Sequence, residues 1–319
     1  MRIVRVTLLT GLGVALAVAG PGMAAAEPLT TMSTGATTIA EQAEVTAYWT
    51  PDRMREATPL DLITVDPTEL SAEVATGEIQ TVEPTDSPIR TTSFPNGGGE
   101  WTGGGDVVTT AGRVFFTMDG RNASCSGNAV TSGNSSTVLT AGHCVKYQGN
   151  WHTNWVFVPG YHDGQRPYGT WTAASTHAIP QWVSSEDMNY DVGAAVVNPL
   201  DGQNLTDVVG GQGVTFNQAH NQAMYAFGFP AADPYDGEKF IYCSGNSIKD
   251  PLLTNDHGLS CDMTGGSSGG PWFLDFDEAT GTGLQASVNS FGYIFLPGYM
   301  FGPHFGSEAQ ALYNEVENA

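Results

Sequence analysis

From residue 106 onward, short β-rich runs alternate with glycine, asparagine and aspartate turns, and this punctuation limits the fold more than any other feature of the sequence. Arg113-Val114-Phe115-Phe116-Thr117-Met118 stops at Asp119-Gly120. Ala129-Val130, Thr137-Val138-Leu139, Trp155-Val156-Phe157-Val158, Gly193 to Val197 and Met224 to Gly228 follow. β-Branched and aromatic residues suit a pleated, half-buried surface, and Gly, Asn and Asp take the backbone conformations of tight turns. The pattern predicts an all-β barrel or sandwich. Residues 105–319 are enough for two small barrels with a cleft between them. Ser307 to Asn318 closes the chain with a helical pattern in which Ala309, Ala311, Leu312 and Val316 share a face.

A glycine-rich run, Gly265-Gly266-Ser267-Ser268-Gly269-Gly270-Pro271, sits between Cys261 and the apolar run Trp272-Phe273-Leu274. A linker needs no such frame, whereas a nucleophile loop does. Glycines let the backbone turn tightly enough for two N–H groups and one hydroxyl to converge on a single carbonyl. A serine hydroxyl is a weak nucleophile and must lose its proton as it attacks. Histidine titrates near neutral pH and can accept that proton, and a buried carboxylate can hold the imidazole in the right tautomer. The candidates are Ser268 as nucleophile, His143 of Thr140-Ala141-Gly142-His143-Cys144 as base, and Asp191 as orienting acid. The backbone N–H groups of Gly266 and Ser268 would receive the oxyanion. Asp191 stands directly before the apolar run Val192 to Val197; Asp187, followed by Met188-Asn189, is the alternative acid.

Thr-Ala-Gly-His-Cys around His143 and Gly-Ser-Ser-Gly-Gly-Pro around Ser268 resemble the two signature motifs of chymotrypsin/trypsin-like serine peptidases. The order His, Asp, Ser matches that family too. The motifs lie 125 residues apart, and the resemblance spans roughly residues 105–319, with the bacterial secreted branch that includes glutamyl endopeptidases looking closest. It implies two six-stranded antiparallel barrels, with His143 and Asp191 from the first and Ser268 from the second. It also implies bridges Cys125–Cys144, closing the loop that carries the base, and Cys243–Cys261, ending just before the serine loop. Asn289-Ser290-Phe291-Gly292 resembles the strand that lines the primary specificity pocket, which assigns Ser290, Phe291 and Gly292 to substrate binding. Asp262 and Met263 fall where the family lines the pocket base. Asp262 there would attract Arg or Lys, and Met263 would make the pocket apolar; Asp262 as part of a loop pinned by Cys261 is the other reading. Ser267 replaces the carboxylate by which animal relatives capture a newly freed terminus, so activation here points to removal of an inhibitor.

The N-terminus starts with a short basic stretch, Met1 to Arg5, then an apolar run from Val6 to Gly20 and Ala24-Ala25-Ala26 ahead of Glu27. This predicts a signal peptide over 1–26 and an extracellular product with no membrane anchor. Four cysteines, an even number, fit two disulfides in an oxidising compartment. Residues 27–104 are rich in Thr, Glu, Ala and Pro, lack Cys and show little strand pattern, and they read as an acidic propeptide acting as an intramolecular inhibitor, with an acidic disordered stalk as the alternative. Thr50 can cap a helix there with Pro51 in its first position. The glycines from Asn96 to Gly105 look open to maturation, expected between Arg90 and Val108. A peptidase domain over 105–319 completes the chain.

A net charge of −22 argues against nucleic acid as partner. Protein or peptide substrates, a monomer, no cofactor and no metal are expected, with the remaining histidines scattered over surface and loops. A secreted serine endopeptidase is the leading reading. An inactive homologue that binds proteins through the same cleft is the alternative, set back by the presence of His143, Asp191, Ser268 and Gly266 together.

Overall fold

A computed structural model describes residues 31–60, 63–64, 74–85 and 94–319, so the signal segment expected over 1–26 lies outside the described residues. Six strands close into an antiparallel barrel. Around the ring, Ala111–Met118 pairs with Arg121–Ala129, then come Thr137–Thr140, Gly193–Val197, Trp171–Ala178 and Thr153–Pro159, which returns to Ala111–Met118. The first hairpin turns at Asp119 (φ 48°) and Gly120 (φ 76°). Two consecutive left-handed residues match the right-handed twist of the flanking strands, and Asp-Gly supplies them at low steric cost. Val114, Phe116, Val138, Leu139, Phe157, Trp171 and Ala195 are buried in one cluster inside this half.

In the second half the strands form two sheets. The larger has seven strands in the order Gln80–Val82, Gly213–Phe216, Thr282–Val288, Pro271–Asp277, Ala223–Gly228, Ile241–Asn246 and Asn96–Glu100. The smaller has five, ordered Ile248–Lys249, His257–Ser260, Tyr299–Gly302, Phe291–Gly292 and Ile63–Thr64. Cys243–Cys261 bonds a strand of the larger sheet to the residue following His257–Ser260, and Cys125–Cys144 bonds the first half to the turn carrying His143. The C-terminal helix Ser307–Val316 buries Ala309, Leu312, Tyr313 and Val316. Tyr313, and not the exposed Ala311, completes the buried face, because i, i+3, i+4 and i+7 stack on one side of a helix.

The acidic N-terminal stretch is more strand-like than its composition suggests. Met32–Thr34 adds to the barrel strand Trp171–Ala178, Thr58–Pro59 runs parallel to Arg121–Ala129, and Ile63–Thr64 runs parallel to Phe291–Gly292. Gln80–Val82 and Asn96–Glu100 extend the two edges of the seven-stranded sheet. The helix Pro51–Arg55 forms as expected, with the Thr50 hydroxyl accepting from the Arg53 N–H at 3.3 Å. A second helix, Ile39–Tyr48, begins with a capping box between Thr38 and Glu41. The stretch read as open to maturation is partly closed. Asn96–Glu100 is hydrogen-bonded to Ile241–Asn246, and Trp101 is buried edge-on against Phe227, Tyr242 and Phe276.

Candidate active site

His143 occupies a short 3-10 turn, Gly142–Cys144, directly after the barrel strand Thr137–Thr140. Asp191 follows another such turn, Met188–Tyr190, and precedes the barrel strand Gly193–Val197. That strand pairs with Thr137–Thr140, so the ladder brings the two turns side by side. His143 Nδ1 lies 2.6 Å from Asp191 Oδ2, and the His143 backbone N–H donates to Oδ1 at 2.7 Å. The Ser290 hydroxyl donates to Oδ2 at 2.5 Å. Charge-assisted hydrogen bonds of this kind hold a carboxylate in one orientation. With Nδ1–H committed to Asp191, His143 presents the lone pair of Nε2. Asp187, the alternative acid, caps its own turn by accepting from the Asn189 N–H at 3.1 Å.

The serine loop is locked from several sides. Ser126 N–H donates to the Ser268 carbonyl at 2.7 Å, and Gly269 N–H donates to the Asn289 carbonyl at 2.8 Å. Asn289 Nδ2 donates in turn to the carbonyls of Ser267 and Phe227, at 3.0 and 2.8 Å. Gly269 has φ 79°, and a Cβ there would fall 2.1 Å from Thr140 Oγ1, so only glycine allows the loop to press against the strand leading to His143. Cys144 Sγ lies 3.6 Å from the Ser268 carbonyl oxygen. The Ser267 hydroxyl is spent on the Thr264 carbonyl at 2.7 Å. His143 Nε2 and Ser268 Oγ are both buried without a hydrogen-bond partner among the described residues. Gly266, at φ 91°, donates its N–H to the carbonyl of Leu60 at 2.9 Å.

The pocket candidates separate. Phe291 and Met263 are buried and Gly292 is half-buried, whereas Asp262 is exposed. The Asp262 carboxylate accepts from the Tyr235 hydroxyl at 2.7 Å, and its backbone N–H donates to the Gly97 carbonyl at 3.0 Å. Burial, with the Asp262 hydrogen bond adding to it, pushes the Tyr235 phenol up to about 12. Ser290, assigned to substrate binding from sequence, sends its side-chain hydroxyl to Asp191. The Ser-x-Gly segment signals the strand, but only the tertiary fold shows that this hydroxyl faces the carboxylate.

The scattered-histidine reading needs correction, since His152, His177, His257 and His304 are buried. Tertiary packing, invisible to local sequence, gathers three of the six. His220, His257 and His304 come together, with ligand-capable atoms all within 4.8 Å of one another. His152 lies beneath His143, with Nε2 2.9 Å from the His143 carbonyl and its ring stacked on Phe116.

No protein-family model matches the sequence. Among solved structures, the protease Anisep from Arthrobacter nicotinovorans is 45% identical, with a TM-score of 0.64, and its whole chain is covered by 70% of this one. The thermostable serine protease AL20 from an extremophilic microorganism is 39% identical with a TM-score of 0.64, matched over 99% of its chain and 67% of this one. This chain belongs to the bacterial trypsin/chymotrypsin-like serine protease family. A Glu endopeptidase shares the fold at 17% identity and a TM-score of 0.55, over 98% of its chain and 70% of this one. A curated relative, an extracellular metalloprotease of Bacillus subtilis strain 168, is 30% identical over 43% of this chain, which spans 41% of that relative's length.

Proposed function

We propose that this chain is a secreted serine endopeptidase made together with its own inhibitor. The observation that carries the reading is the buried chain Ser290–Asp191–His143 beside a glycine-locked loop in which the Ser268 hydroxyl has no hydrogen-bond partner among the described residues. In this reading Ser268 Oγ attacks the scissile carbonyl and its proton passes to His143 Nε2. Asp191 stabilises the imidazolium, and the N–H groups of Gly266 and Ser268 hold the oxyanion. The proton then passes to the leaving amine, and water repeats the sequence on the acyl-enzyme. Substrates are proteins or peptides. The Asp262 carboxylate is engaged by Tyr235 and faces solvent, which supports the loop reading and leaves Met263 to give the pocket an apolar wall. The basic start, the apolar run and the two disulfides support export through a signal peptide over 1–26.

The expected division into a propeptide over 27–104 and a peptidase domain over 105–319 is kept in this reading, with the boundary moved ahead of Asn96. Support comes from the path of the chain through the site. Thr58–Pro59 pairs with Ala123–Ser124 on one wall, Leu60 N–H donates to the Ser124 carbonyl at 3.0 Å, and Ile63–Thr64 pairs with Phe291–Gly292 on the other. Between them the Leu60 carbonyl takes the Gly266 N–H that a reacting carbonyl needs. His143, Asp191 and Ser268 are each 0% exposed under this arrangement. About three-tenths of the chain has no counterpart in the fully covered relative, which fits a removable segment. The pairing of Asn96–Glu100 and the burial of Trp101 favour a new terminus ahead of Asn96, at the Arg90 end of the expected span. N-terminal sequencing of the active enzyme tests this. A fully active form still beginning at Glu27 would leave an acidic stalk as the better account.

A further inference from the structure

Outside the serine loop, three imidazoles from three separate elements of the second half meet. His220 lies in the loop between Gly213–Phe216 and Ala223–Gly228, His257 opens the strand His257–Ser260, and His304 follows Tyr299–Gly302. We propose that His220, His257 and His304 form a binding site for a divalent metal of the zinc class. The ring centres are 4.7, 4.9 and 5.3 Å apart. Zinc–nitrogen bonds of about 2.0–2.1 Å in tetrahedral geometry set imidazole centres around one ion at roughly 5 Å. The ligand-capable nitrogens, now within 4.8 Å of one another, need only close to about 3.3 Å, a matter of small ring rotations.

Hydrogen bonding fixes which nitrogens face inward. His304 Nε2 is 2.7 Å from the Gln218 carbonyl, and His220 Nε2 is 2.6 Å from the Asn255 carbonyl. A carbonyl can only accept, so both Nε2 atoms carry the proton and both Nδ1 atoms carry a lone pair. This is the arrangement in which an outer carbonyl orients a metal-binding imidazole. An independent observation points the same way. Nδ1 of His257 and Nδ1 of His304 are buried with no hydrogen-bond partner among the described residues. Unsatisfied buried polar nitrogens are costly, and a cation held between them removes the cost. A neutral all-imidazole donor set favours zinc-class ions over magnesium or calcium. Half-exposed His220 gives the entry path.

The site would brace the catalytic half of the cleft. The Asn255 carbonyl holds His220, and the Asn255 N–H donates to Asn189 Oδ1 at 2.7 Å, two residues before Asp191. Zinc chloride titrated into chelator-treated Ser268→Ala full chain, followed by calorimetry and melting, tests the proposal. The expected result is one zinc per chain with Kd at or below about 1 µM, a raised melting temperature, and no response to magnesium. His220→Ala, at the least buried position, should weaken binding at least about 10-fold while leaving the metal-free melting temperature unchanged. Failure of zinc to bind, or binding that His220→Ala and His304→Gln both leave unaltered, would overturn it. Neither readout depends on peptidase activity.

Discussion

The barrel and the segment ahead of it are both built on β-pairing, yet they spend it differently. Barrel strands pair with one another around a closed ring, and Ala111 to Phe116 is buried throughout. Among the described residues, the strands of 31–64 are two or three residues long and pair with the body and not with one another. The helix Ile39–Tyr48 has no buried residue, so the segment holds on through a few anchors, namely Ala36, Trp49, Met54, Ala57 and Leu60. A body that satisfies its own backbone can outlast its partner. A segment that borrows its neighbour's hydrogen bonds has little reason to stay folded alone. That asymmetry suits a removable inhibitor, and each test below either breaks it or sharpens it.

The largest effect belongs to the body. Ser268→Ala should lower the turnover of the processed enzyme by on the order of 10⁶, as loss of a triad serine does elsewhere. Ser267→Ala should cost far less, because its hydroxyl is tied to Thr264. Steady-state kinetics of the two variants decide the register of the loop, and a reversal would move the nucleophile by one residue.

An anchor in the segment should behave in the opposite way. Trp49 packs on Phe115, and its Nε1–H donates to the Asn154 carbonyl at 2.6 Å. Trp49→Ala should remove about 3–5 kcal/mol of docking, the usual cost of a large buried aromatic. Proteolysis of the segment should accelerate, while the main melting transition of the unprocessed Trp49→Ala chain stays where the body's own transition lies. A main transition of the unprocessed variant that fell well below that of the isolated processed body would show that the two regions fold as one.

Acid sharpens the comparison further. Burial, joined by the charge of His143, pushes His152 down to about 4 from the ordinary value of 6.5. Its hydrogen bond to the His143 carbonyl and the charge of Asp119 offset this in part, and Lys146 adds to it. Between those values the unfolded chain binds the proton and the folded chain does not. Stability is therefore complete above about 6.5 and falls as the pH drops towards 4, by roughly 3 kcal/mol from this group. His152 lines a cavity shared with Ser33, Glu41 and Tyr48 of the segment, so denaturant titrations at stepped pH should show the full loss in the intact chain and a smaller one once the segment is removed.

How much of this was legible in sequence follows the same division. His143, Ser268 and their glycines sit in contiguous motifs, because a tight loop and a capped turn are local problems. The Asp119-Gly120 hairpin was legible for the same reason. The Ser290–Asp191 bond joins residues 99 positions apart, and nothing local announces it. The histidine cluster draws on three elements spread from residue 220 to 304, which a linear reading treats as scatter. Edge strands of two or three residues show no period because backbone groups, not side-chain alternation, hold them. The Thr38 to Glu41 capping box is a local signal in the segment, a threonine followed three residues later by glutamate.

The central claim is that Ser268 is a competent nucleophile whose oxyanion donor is occupied by Leu60. Labelling by a fluorophosphonate, measured on the chain beginning at Glu27 and again after cleavage near Arg90 and removal of the segment, tests it most directly. The account predicts slow labelling before cleavage, fast labelling after it, and the adduct on Ser268 by mass spectrometry. Equal labelling and equal peptide hydrolysis in both forms, or an adduct on any other residue, would contradict it.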